Sequence, residues 1–217
     1  LIKDLSAIEK LNSLSVMCID KSGTVTKAQQ EIKHVYSKNT ELFNYILLLS
    51  YNRNSTDSVD RAISLYSSFS GIDTTELYKN ENLFSYPFDK RFKISGNLWQ
   101  VKDSRLLCVK GSPETVFPLC GLKGETLFKA QQRYEELARE GLTIIACAFC
   151  EYEEEGIPEN LTDCKFSFMG LCGITNRIKE QIPAAVSTCK RAGLRVVLLT
   201  GDNPDSAIKT AHKIGIP

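Results

Sequence analysis

The chain has 217 residues, 42% of them hydrophobic and 24% charged, and a formal net charge of +1. That balance is ordinary for a globular protein of one large or two small domains, and near-neutrality supplies no general attraction to nucleic acid or an anionic membrane surface. No apolar run approaches the roughly 18 residues of a membrane span, and Ile46-Leu47-Leu48-Leu49 reads as a buried helix face.

The first predicted element is an apolar, β-prone strand over residues 14–19 that closes on Asp20. A small loop, Lys21-Ser22-Gly23-Thr24, follows. This layout puts a carboxylate at the carboxyl end of a strand, where open α/β sheets place their ligand sites. An ionised carboxylate is a competent nucleophile toward a phosphoryl group. Gly23 lets the backbone turn tightly, and Ser22, Thr24 and loop N–H groups can donate to phosphate oxygens. A strand-ending Asp that merely caps a turn has the same local pattern, so the rest of the chain must decide.

Residues 31–37 alternate like a strand, and 41–51 and 57–69 read as helices, with Asp57 an N-cap or first-turn acid. Strands follow over 84–88, 92–97 and 105–110. Pro113 opens a short helix, and a polar amphipathic helix over 126–140 is stopped by Gly141. Residues 142–150 form an apolar strand, and the acidic, Pro-containing stretch 151–163 a solvated loop. Most of the eight cysteines sit in apolar strand-like runs, as buried reduced thiols do. Cys147 and Cys150 have C-x-x-C spacing. A four-thiolate zinc site needs a second such pair, and in an extended strand these two point to opposite faces. His34 and His212 are isolated surface or core residues.

The last part of the chain reads as strand 166–174, helix 180–192 ended by Gly193, strand 195–199, Thr200-Gly201-Asp202, and helix 204–213. This βαβα order predicts a right-handed crossover and a parallel sheet, which the strand carrying Asp20 also fits. Residues 28–165 then form an inserted α+β domain.

Four separated segments carry a family resemblance. Asp20-Lys21-Ser22-Gly23-Thr24 resembles the D-K-T-G-T phosphorylation motif of the P-type ATPases, and Lys110-Gly111-Ser112-Pro113-Glu114 their K-G-[AS]-P-E nucleotide motif. Pro87-Phe88 followed by Lys93 is similar to their adenine-pocket strand, and Thr200-Gly201-Asp202-Asn203 resembles their T-G-D motif. The order and spacing match end to end.

The resemblance implies an α/β fold in which residues 1–27 and 166–217 form a partial haloacid-dehalogenase-like (Rossmann-type) parallel sheet, the phosphorylation domain. Residues 28–165 are the inserted α+β nucleotide-binding domain. It further implies the cytoplasmic loop of an ATP-driven membrane cation transporter, acting with ATP, Mg²⁺, an actuator domain and membrane helices, and not with nucleic acid. Asp20 would take the γ-phosphate and, with the Ser22 carbonyl, hold Mg²⁺. Lys21, Thr24, Thr200, Gly201 and Asp202 would surround the phosphate. Phe88 would stack on adenine, Asp60 would meet its amino group, Lys93 and Lys110 would supply positive charge, and Gly111 would permit close approach.

Departures are visible too. Ser22 stands for the usual Thr, and it occupies the position where hydrolytic relatives on this sheet carry an acid. Asn176 and Lys179 stand at the Asp and Arg of the family's D-P-x-R segment, and Thr143 stands where many members have an arginine. The family's later Mg²⁺-binding motif is expected beyond Pro217, so this segment alone is expected to bind ATP but to phosphorylate itself poorly. Two other readings are a soluble phosphohydrolase on the same sheet and a non-catalytic nucleotide-binding module.

Overall fold

The computed structural model describes residues 13–201 and 204–217. The elements run β1 (Val16–Asp20), β2 (Thr26–Ser37), α1 (Thr40–Ser50), α2 (Ser58–Ser67), α3 (Thr74–Leu77), β3 (Glu81–Asp89), β4 (Ile94–Val101), β5 (Ser104–Gly111), α4 (Pro113–Leu119), α5 (Gly124–Arg139), β6 (Thr143–Glu151), β7 (Ser167–Ile178), α6 (Ile182–Arg191), β8 (Arg195–Leu199) and α7 (Pro204–Lys213). They fall into two units, one of Leu1–Ala28 with Asn176–Pro217 and one of Gln29–Thr175.

In the larger unit the sheet order is β2-β7-β6-β5-β4-β3, and the ladders from β3 through β7 are antiparallel. Side chains alternate across each strand, and both faces are covered, which is why β6 reads as a nearly continuous apolar run. One face packs Trp99, Cys108, Cys147 and Cys172 under Phe43, Ile46 and Leu47 of α1 and Ile63 of α2. The other packs Leu98, Leu107, Val109 and Ala148 against Val116 and Phe117 of α4 and Leu137 of α5. The Cys147/Cys150 pair is split between these faces: Cys147 lies under α1, and Cys150 packs on the opposite side.

Capping sets the helix starts. Asn39 accepts from the Leu42 N–H at the head of α1, and Asp57 accepts from Val59 and Asp60 at the head of α2. At the other end of α1 the sheet supplies the donors. Asn97 Nδ2 donates to the carbonyls of Leu49 (2.8 Å) and Tyr51 (3.0 Å), and Trp99 Nε1 donates to Leu49 (2.7 Å). The carbonyls that a helix leaves open at its carboxyl end are thus satisfied from β4.

The structure corrects the expected sheet. The sequence pattern places residues 166–174 in the parallel sheet, but β7 runs antiparallel to β6, with Thr143 opposite Ile174 and Phe149 opposite Ser167. A parallel return needs a crossover, usually helical, and the segment between β6 and β7 contains only the short turn Leu161–Asp163. Gly170 fits β7 beside β2, because a Cβ there would stand 2.2 Å from the Tyr36 carbonyl oxygen. The second boundary between units therefore falls after Thr175, beyond the expected residue 165.

In the smaller unit β1 and β8 pair in parallel, from Val16 opposite Arg195 to Asp20 opposite Leu199. Val25, Val186, Val196 and Ile214 form its core. Among the described residues no helix is long and apolar enough to cross a membrane.

Replacing Asn97 with Ala leaves the Tyr51 carbonyl without its donor and removes one of two from Leu49. The expected cost is about 1–3 kcal/mol, read as a lower urea midpoint with an unchanged slope.

Candidate functional site

A pocket of about 650 Å³ opens in the larger unit, a size suited to a small organic ligand. Asp60, Phe88, Lys93, Lys110, Gly111 and Thr143 all line it. The five residues expected around a nucleotide from the sequence, scattered over fifty positions, are brought to one cavity.

Lys110 reaches it because strand alternation puts it on the same face as Cys108, the face under α1 and α2. Its cross-strand partner on β4 is Ser95, and Lys110 Nζ donates to Ser95 Oγ at 2.7 Å. Nζ also lies 2.9 Å from Asp60 Oδ1, and each side chain is only 8% exposed. Asp60 sits in the first turn of α2, whose start is fixed by Asp57. The approach of Nζ lacks hydrogen-bond alignment, so Asp60 Oδ1 is compensated in charge yet retains its capacity to accept.

Phe88 is 60% exposed, a ring on the pocket wall and not a core side chain. Lys93, at the end of the β3–β4 turn, holds a left-handed backbone (φ 50°), uncommon for a residue with a Cβ. Its carbonyl accepts from the Ser112 N–H at 2.9 Å. That closeness explains Gly111: a Cβ at 111 would lie 2.6 Å from the Lys93 oxygen. Here the glycine is required by the neighbouring strand.

Ser95 and Asn97 also line the cavity, and the sequence reading missed them. The available signal was two polar residues within the buried strand β4.

In the smaller unit Asp20 ends β1, exposed, and the turn Lys21–Val25 follows with Gly23 at φ 76°. Ser22, Gly23 and Thr24 are exposed. Thr26 Oγ1 braces the turn, accepting from the Gly23 N–H (3.4 Å) and donating to the Lys21 carbonyl (3.2 Å). Lys179 Nζ donates to the Gly23 carbonyl at 2.6 Å. The β1–β8 register places Thr200 and Gly201 just past the strand end beside Asp20. Lys21 differs from its exposed neighbours in the turn: it is 3% exposed, and its Nζ donates to Ser206 Oγ of α7 at 3.2 Å. Asp202 lies outside the described residues.

A family model described as P-type ATPase, cytoplasmic domain N, matches residues 50–181. The chain belongs to the P-type ATPases. The whole chain aligns with a calcium-transporting ATPase 1 of Bacillus cereus at 27% identity, covering 28% of that protein. It aligns likewise with a probable cation-transporting P-type ATPase of Mycoplasma genitalium (25% identity, 26% of its length) and with the human sodium/potassium-transporting ATPase subunit alpha-4 (24% identity, 27% of its length). The chain thus spans about a quarter of the length of these relatives.

Glu114, in the Lys110–Glu114 segment, receives a 2.8 Å hydrogen bond from the Tyr134 hydroxyl. Burial alone would raise the Glu114 carboxyl, but this bond, its backbone and Ser112 partners and the nearby Lys93 charge hold it below the usual range. Burial and the same carboxylate push the Tyr134 phenol up to about 12. A carboxyl lowered in the folded state stabilises the fold above its unfolded pKa, and this contribution is lost as pH falls through the folded value. In Tyr134→Phe, Glu114 is expected to titrate at higher pH by NMR. The variant's stability deficit is expected to be larger at neutral pH than below the carboxylate range.

Proposed function

We propose that the pocket of the larger unit binds ATP and that Asp20 accepts its γ-phosphate, in the cytoplasmic part of an ATP-driven membrane cation transporter. The convergence of Asp60, Phe88, Lys93, Lys110 and Gly111 on one cavity carries this reading. Residues 29–175 are then the nucleotide-binding domain, and residues 1–28 with 176–217 belong to the phosphorylation domain. The parallel β1–β8 pair, with Asp20 at its carboxyl edge, supports a place for the latter in a haloacid-dehalogenase-like sheet. An actuator domain and membrane helices are its partners in the parent protein.

The exposed Phe88 ring offers a stacking face for adenine, worth about 1–3 kcal/mol by analogy with bases on aromatic side chains. Asp60 Oδ1 accepts from the exocyclic amine, and the Lys110 and Lys93 cations add positive charge beside the nucleotide. Phosphoryl transfer asks a protein chiefly for positioning and charge neutralisation. An Asp20 carboxylate oxygen forms the new bond to phosphorus as ADP departs. Thr200 and Gly201 stand at the same strand edge to orient the phosphate. The Asp20 carboxylate and Ser22 carbonyl form an all-oxygen donor set that suits Mg²⁺, which when bound neutralises phosphate charge. Ser22 is a poor general acid, so the acyl phosphate persists, as a transport cycle requires.

A second reading, a nucleotide-binding module without a phosphoenzyme, draws on Thr143 at the pocket and on Lys179, whose ammonium is engaged by the Gly23 carbonyl.

Two measurements separate these readings. ATP should slow amine-reactive labelling of Lys110, and Phe88→Ala should raise the ATP Kd by about 5- to 150-fold; equal labelling with and without ATP refutes the pocket. In the full-length parent, radiolabelled ATP with magnesium should leave an acid-stable, hydroxylamine-sensitive label that Asp20→Asn abolishes. ATP protection without any such label supports the second reading.

A further inference from the structure

Two thiols stand together at one end of the larger unit's sheet, apart from the nucleotide pocket. Cys150 is the penultimate residue of β6, and Cys164 directly follows the Leu161–Asp163 turn before β7. Phe149 pairs with Ser167, so both cysteines leave the β6–β7 ladder at the same end. Their side chains interact with each other, and both are half-buried against the core beneath α4 and α5. Both also line an open groove of about 760 Å³. Cys108, Cys147 and Cys172, by contrast, are fully removed from water.

We propose that Cys150 and Cys164 are a modification site: they close to a reversible intramolecular disulfide on reaction with low-molecular-weight disulfides, cationic ones foremost. The charge preference comes from the groove, whose lining includes Glu151, Glu153, Glu154, Glu155, Glu159 and Asp163 against Lys165. Such a field concentrates cations and repels anions.

Cys164 reacts first. Burial and the Asp163 and Glu154 carboxylates push its thiol up, but the neighbouring Cys150 thiol works in the opposite direction. Burial and Cys164 push the Cys150 thiol up to about 12. The Cys164 thiolate attacks the reagent's S–S bond, giving a mixed disulfide, and the departing thiolate takes up the proton Cys164 has lost. Cys150 then attacks the Cys164 sulfur and expels the second thiolate, which takes the Cys150 proton. Two protein thiols lose two electrons and one reagent disulfide gains them. The second step is intramolecular between neighbouring groups and is therefore favoured.

The new bond would close the loop of residues 151–163. That loop is already anchored to β3, where the Tyr86 hydroxyl donates to the Pro158 carbonyl at 2.6 Å.

The test uses the intact chain in a Cys18→Ser background, which removes the exposed thiol. The protein is treated with cystamine, a dication, or with anionic glutathione disulfide, then alkylated and mapped without reduction. A Cys150–Cys164 cross-linked peptide is expected, formed about tenfold faster with cystamine. Cys150→Ser should hold one cysteamine half of the reagent as a stable mixed disulfide on Cys164, and Cys164→Ser should leave Cys150 unmodified. A lasting adduct on Cys164 without the cross-link, in protein retaining both thiols, overturns the proposal. Equal rates for the two reagents overturn its charge preference, and equal reaction of Cys150 without Cys164 overturns the order of attack.

Discussion

An ammonium and a carboxylate face each other almost out of water between β5 and α2, and the pocket of the larger unit is built around that pairing. Removing each ion from water costs several kcal/mol, and mutual attraction offsets this only with good geometry and further partners. Ser95 supplies one such partner to Lys110, while Asp60 Oδ1 is left with an acceptor site unused. Well-packed apolar residues would stabilise the same space at least as well. A charged pair on a cavity wall is instead what a polar ligand needs, and the cavity beside it carries an exposed aromatic ring.

The residues that line this pocket are placed by several different elements. Lys110 arrives by strand alternation, Ser95 by cross-strand register, Asp60 by a capped helix start, and Phe88 and Lys93 by the strand and turn that precede β4. None of these depends on a flexible loop alone. The turn after β1 is built in the same way from small contacts: a threonine hydroxyl, a lysine to a carbonyl, and a left-handed glycine. It holds Asp20 at the surface while Lys21, its neighbour, is turned inward to α7.

Much of this was legible in the sequence because local signals and tertiary packing agree. Asp57 caps α2 as its position suggested, and the strand over residues 195–199 has the predicted bounds. The fate of residues 166–174 was not legible, since an apolar buried strand looks the same in a parallel or an antiparallel sheet. The helix Thr74–Leu77 is a single turn, too short to show a period. The roles of Ser95 and Asn97 depend on which residues stand opposite them on β5 and over the sheet, and no local pattern encodes that. Lys21 follows the end of strand alternation, so its inward direction could not be read from spacing.

The donors that Asn97 and Trp99 extend to Leu49 and Tyr51 fasten the tail of α1 to the sheet where Ser50 and Asn52 form the cavity wall. A slide of α1 along its axis would break all three bonds at once. A ligand entering there meets a surface already rigid before it arrives. Little ordering entropy is then lost on that side, and the rate of association follows encounter more than rearrangement.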